Sequence, residues 1–209
     1  MRKKIIAVSV LLFSIIIFSF FTNKKPSPAD LVKNYYLTQT QLFINDLEKF
    51  KKSISLNNSK AVQNSFLASR NSYKKAEALI EYYFNFYAIQ LNGAPIPYFE
   101  EDDPDTGQLE PAGMQIIEAL IFPLYNQSKK TELLEATNKL ITAANTMLQT
   151  NESFAFNDEY IIDAVIEELY RITALGVAGF DAQLSFNGLN ECKAALAGVQ
   201  NILTNYKEN

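Results

Sequence analysis

Apolar positions along the chain recur at helical spacing and predict a succession of helices. From Ala29 to Leu56 the residues Leu31, Tyr35, Leu42, Leu47, Phe50 and Ile54 share one face. Asn57 and Asn58 interrupt this stripe, and Asn58 or Ser59 can cap the next helix. A second stripe, Phe66, Tyr73, Ala76, Ile80, Phe84 and Tyr87, predicts one continuous helix to Gln90. Asn92-Gly93-Ala94-Pro95 stops it, because Gly permits the exit and Pro forbids continuation. A loop of about twenty residues follows, long for a helical domain. Pro111 then stands where a first helical turn tolerates proline, and Gly113 to Phe122 read as a short helix ended by Pro123. Thr131–Leu148 predicts a fourth helix. Asn157 caps a fifth that runs to Ala178, and Leu189–Tyr206 gives the last. No alternation of strand length occurs. The expected fold is all-α: an antiparallel, four-helix-type up-and-down bundle with a short extra helix and a long acidic loop, preceded by an N-terminal hydrophobic helix.

That leading segment changes the picture of where the chain works. Arg2, Lys3 and Lys4 precede 17 uncharged residues, Ile5 to Phe21, and Lys24 and Lys25 follow. A basic flank before an apolar run is the pattern of an export signal. The run is long for a cleaved signal and just long enough for a short membrane span. Residues 1–28 therefore read as a signal peptide or an uncleaved anchor in the cytoplasmic membrane, with run length favouring the anchor. Residues 29–209 read as one helical domain on the periplasmic or envelope side. No cysteine follows the run, which excludes a lipid-modified N-terminus.

Composition narrows the chemistry. The chain contains no histidine and one cysteine, Cys192. It therefore has no Ser-His-Asp or Cys-His machinery, no HExxH zinc site, no CxxCH haem attachment and no internal disulfide. No haem is expected on this chain. Cys192, within Glu191-Cys192-Lys193-Ala194-Ala195-Leu196, reads as a small buried helix residue. Five of the 19 basic residues and none of the 23 acids lie in residues 1–25, so the rest carries a net charge of −9. Such a domain is a poor partner for nucleic acid, and suits a cationic partner or metal ions better.

Four local patterns are more specific than the periodicity. They are Phe66 to Glu77, with Arg70, Tyr73 and Glu77 on one face; Leu91 to Pro97 leading into Glu100-Glu101-Asp102-Asp103-Pro104-Asp105; Glu110 to Phe122; and Arg171 to Asp181 followed by Leu189 to Leu196. Taken in order they resemble the imelysin-like family of exported helical domains. They are most similar to the variant found as the N-terminal region of some bacterial dihaem cytochrome-c peroxidases. The resemblance covers nearly everything after the leading segment. It implies a helical bundle acting as a binding or accessory module, with a periplasmic haem peroxidase or other redox protein as partner. Some members are linked to iron uptake and some are described as peptidases, both through a Gly-x-His-x-x-Glu motif. Here that motif reads Gly113-Met114-Gln115-Ile116-Ile117-Glu118, with glutamine in place of the histidine. Gln115 is a poor transition-metal ligand and no general base, which points away from an enzyme.

The residues leave an oxygen-only cation site open, with Glu118 and Glu77 as its candidate ligands and iron or another metal ion as its occupant. Gln115 and Glu118 are three apart and can face one groove, tied to Arg70 or Arg171. The acidic run Glu100, Glu101, Asp102, Asp103 and Asp105 fails an EF-hand template, since the required Gly falls on Thr106 and the last acid on Ala112. Hard-cation binding or a solvated loop are its two readings. Glu167 and Glu168 are adjacent and point to diverging faces, so they cannot work as an acid/base pair with each other.

Overall fold

The computed structural model describes residues 25–56, 58–99 and 108–207, and these form an all-helical bundle. The N-terminal run at 5–21 and the acidic residues Glu100, Glu101, Asp102, Asp103 and Asp105 lie outside the described residues. Among the described residues there are eight α-helices: α1 (Pro28–Ser53), α2 (Ser59–Lys74), α3 (Glu77–Tyr83), α4 (Asn85–Asn92), α5 (Met114–Ile121), α6 (Lys130–Asn151), α7 (Asp158–Arg171) and α8 (Gly188–Thr204). A two-residue antiparallel ladder, Tyr98–Phe99 with Gln108–Leu109, closes the base of the acidic loop. No described helix is long and apolar enough to cross a membrane.

Capping chemistry sets where the helices begin. Ser27 and Asp30 form a reciprocal capping box ahead of Pro28, and Asn58 Oδ1 accepts from the Ala61 amide at 3.0 Å. Asn157 accepts from the Glu159 amide at 2.8 Å and starts α7. Phe43 meets Tyr73 at 5.4 Å and Phe50 meets Phe66 at 5.5 Å between ring centroids. Ser53 meets Ser65 further along, so α1 and α2 run antiparallel. In the same way Arg171 lies against Glu77 and Glu81 while Asn157 lies against Tyr83, so α3 and α7 are antiparallel.

Several expected features differ in the structure. The buried stripe of α1 is Val32, Tyr36, Phe43, Leu47, Phe50 and Ile54, while Leu31 and Leu42 are exposed. In its first half the true face is rotated by one residue. Both rows are apolar in this segment, and the row of Tyr36 and Phe43 wins because it meets Phe84, Phe156 and Tyr73. The predicted single helix from 58 to 90 is three helices, broken at Lys75–Ala76 and at Phe84. At the first break the Lys75 carbonyl is free to accept from Tyr35 Oη at 2.8 Å. There α8 also comes so close that a Cβ on Gly198 would stand 2.3 Å from that oxygen. The short helix starts at Met114, so Pro111 precedes it. Its entry is Gly113, at φ +61°, where a Cβ would stand 2.1 Å from the Leu91 carbonyl oxygen. Helix α7 stops at Arg171, followed by a wider turn over Ile172–Gly176, rather than running to Ala178. Gly176 there packs against the Cys192 sulfur.

Candidate functional site

The break between α2 and α3 brings charged side chains into the interior. Arg70 is fully buried. Its guanidinium forms a two-pronged pair with Glu191 of α8, Nε to Oε1 at 2.6 Å and Nη2 to Oε2 at 2.7 Å. Nη2 also donates to the Asp181 carbonyl at 2.7 Å and Nη1 to Asn92 Oδ1 at 3.4 Å. The expected grouping of Arg70 with Tyr73 and Glu77 therefore divides. Glu77 takes Lys74 Nζ at 2.5 Å, and Lys74 also donates to Asp181 Oδ2 at 2.7 Å. The Tyr73 hydroxyl donates to Glu81 Oε1 at 2.9 Å. Lys74, three residues before Glu77, reaches it across the break at Lys75–Ala76, and Arg70 finds its carboxylate 121 residues away.

The motif residues of α5 join this network from the other side. Gln115 Nε2 donates to Asn92 Oδ1 at 3.0 Å and to the Asp181 carbonyl at 3.2 Å, two acceptors it shares with Arg70. Glu118 accepts from the Ser185 amide at 3.0 Å. Glu77 and Glu118, the two candidate cation ligands, are thus engaged by different partners. Among the described residues no group of three or more Cys, Asp or Glu is arranged to hold a metal ion.

Arg171 completes the cluster from the end of α7. Its Nη2 lies 3.2 Å from Glu81 and 3.7 Å from Glu77, and its Nε lies 3.8 Å from Glu168 Oε2. Glu168 is buried, and neither carboxyl oxygen has a hydrogen-bond donor; its carboxyl lies against that of Glu77. Six carboxyls (Glu77, Glu81, Glu118, Glu168, Asp181, Glu191) thus face three cations (Arg70, Lys74, Arg171). The surplus decides the protonation pattern. Burial, reinforced by the Glu77 carboxylate, pushes Glu168 up to about 10, against the pull of Lys74 and Arg171. A proton on Glu168 turns its contact with Glu77 into an O–H···O hydrogen bond. Burial and Glu77 likewise push Glu81 up to about 7, against the pull of Arg171. Burial alone would lower Lys74, Arg70 and Arg171, but their carboxylate neighbours hold all three above their usual values. Burial would raise Asp181, and Lys74 with the two arginines overcomes it and lowers it.

Two spaces adjoin the cluster. A cavity of about 20 Å³ is lined by Lys74, Glu77, Glu168, Arg171, Asp181 and Cys192 among others, room for one water-sized molecule. A wider cleft of about 360 Å³ lies on the other side of Arg171, between Glu81, Asn85, Asn92, Glu110 and Phe180. The Cys192 thiol is buried, and burial raises it above its usual value, away from the reactive thiolate. The arrangement can hold protons and charges in fixed places, and it presents no activated nucleophile.

Sequence reasoning missed Lys74, Glu81, Asn92, Glu168 and Glu191 as members of the site. The signal for Glu168 was present, because it continues the buried row Ile161, Ala164 and Val165 where a charge is out of place. Lys74 and Glu191 sit inside the quoted patterns without marking themselves. No known protein-family model matches the chain. A search of proteins of curated function finds no match either.

Proposed function

We propose that this chain is an exported binding or accessory module of the imelysin-like type, tethered to the cytoplasmic membrane by residues 5–21, with its helical domain on the periplasmic side. One observation carries the reading: Arg70, Gln115, Glu118, Arg171 and Asp181, drawn from three of the four patterns behind the resemblance, meet in one buried polar cluster with a cleft beside it. Antiparallel pairing of α1 with α2 and of α3 with α7 supports a four-helix-type, up-and-down plan for the domain. Glutamine at position 115, spent on Asn92 and the Asp181 carbonyl, supports binding rather than metal-dependent peptidase chemistry.

The partner we propose is a periplasmic dihaem peroxidase made as a separate chain, which rests on the family resemblance. Membranes carrying the tagged full chain, solubilised in mild detergent, test it by co-purification. A haem absorbance band in the eluate, absent with a tag-only control, is expected. Recovery of abundant folded chain with no haem protein would overturn the partnership.

A further inference from the structure

An aromatic cluster gathers at one end of the bundle. Tyr36 lies 5.2 Å from Phe84 and 5.6 Å from Phe156, and Tyr83 lies 4.6 Å from Phe156 and 5.5 Å from Phe154. Tyr82 links this group to Tyr160 at 6.4 Å, and Phe86 extends it through Tyr87 toward α6. The rings come from the first turns of α1, the α3–α4 break, the turn after α6 and the start of α7. The Tyr206 hydroxyl donates to Asp158 at 2.8 Å, so α8 ends here as well. Its outer members face solvent: Phe86 is 71% exposed, Tyr160 51% and Phe154 37%. The buried rings are core. The exposed ones pack on this core with one edge, Phe154 on Tyr83, Phe84 and Phe156, Tyr160 on Tyr82 and Phe86 on Tyr87, and turn the rest of the ring to solvent.

This end is also where the chain enters the domain. Helix α1 begins at Pro28, and Tyr36 lies about 12 Å further along it at 1.5 Å per residue. Residues 22–27, between the apolar run and α1, span at most about 20 Å even when extended. A domain tethered that closely keeps this end at the bilayer surface. Phenylalanine and tyrosine suit the boundary between headgroups and acyl chains, where an apolar ring and a polar tip are both accommodated. Acids at this end (Glu152, Asp158, Glu159) offset Lys25 and Lys33, so attraction to anionic lipid is not the source of the contact.

We infer that Phe86, Phe154 and Tyr160 form a lipid-contacting belt that seats this end of the domain against the membrane that anchors it. The inference rests on the tether reading. The belt fixes the orientation of the domain, holding α1 steeply to the surface. A second exposed apolar patch, around Phe186 (89% exposed), Val177 and Leu189, lies at the start of α8, about 25 Å along that helix from its end beside Tyr206 and Asp158. The belt leaves that patch clear of the lipid.

The chain has no tryptophan, so a single introduced one reports its own surroundings. Full-length Phe86→Trp, Phe154→Trp and Phe186→Trp are reconstituted into phosphatidylcholine vesicles with and without brominated acyl chains. We expect blue-shifted emission, insensitive to salt, and quenching at least about twofold stronger at positions 86 and 154 than at 186. Failure of the chain to float with vesicles overturns the tether and the belt together. Flotation with all three tryptophans equally unquenched overturns the belt and leaves the tether. Quenching at 186 instead assigns the lipid contact to the other patch and equally overturns the belt. So does quenching at 86 and 154 that is lost when the run 5–21 is replaced by an unrelated anchor of equal length. That outcome makes the run itself the cover.

Discussion

Glu168→Gln isolates the most unusual group in the cluster. Glutamine has nearly the shape of the protonated acid and can still donate to Glu77, so packing and that hydrogen bond survive. In the folded chain the Glu168 carboxyl keeps its proton to about pH 10, against an ordinary value of 4.5 in the unfolded chain. Between those values folding takes up a proton, so the wild-type stability falls as pH rises. At pH 7 the gap of 2.5 units corresponds to a cost of about 3 kcal/mol, which the glutamine variant does not bear. The charges around Glu168 spread its titration, so the expected slope is about 1 kcal/mol per pH unit rather than the full 1.4. Urea unfolding of both full chains at pH 5, 6, 7 and 8 measures it. The variant should be near wild type at pH 5 and increasingly more stable above it. Parallel curves, or a variant less stable at pH 8, would refute a neutral Glu168.

Removing the buried arginine should act the other way. Arg70→Met leaves Glu191 buried and unpaired and should cost about 3–5 kcal/mol by urea unfolding, with more than half regained on adding Glu191→Leu. Gly198→Ala drives a methyl group into the Lys75 carbonyl and should destabilise by about 1–3 kcal/mol. The comparison is Gly179→Ala, which has open space and loses only about 1 kcal/mol for its φ of +71°. A larger loss at Gly179 would show that close approach of α8 to the break is not what requires Gly198. Cys192 should resist a thiol reagent at neutral pH until the chain is denatured; rapid labelling of the native protein would contradict its burial.

The sequence by itself determined the helical class and most helix starts. Those depend on local matters: apolar spacing, and an Asn58 or Asn157 side chain next to free amides. It also placed Arg70, Gln115, Glu118, Arg171 and Asp181 among residues worth following, through the resemblance. Only the tertiary structure decided which row of α1 is buried, because two apolar rows compete and the choice depends on Tyr73 of α2 and on Phe84 and Phe156. It alone decided that the helix after Asn58 breaks at Lys75–Ala76, where Tyr35 takes over a carbonyl the helix gives up and α8 packs close against it. The same holds for the partner of Arg70 and for the proton on Glu168. The charge a side chain carries is set by its distance from other charges and by how much water is excluded. Both quantities arise only when helices distant in the chain pack together. A spacing pattern within one helix contains neither.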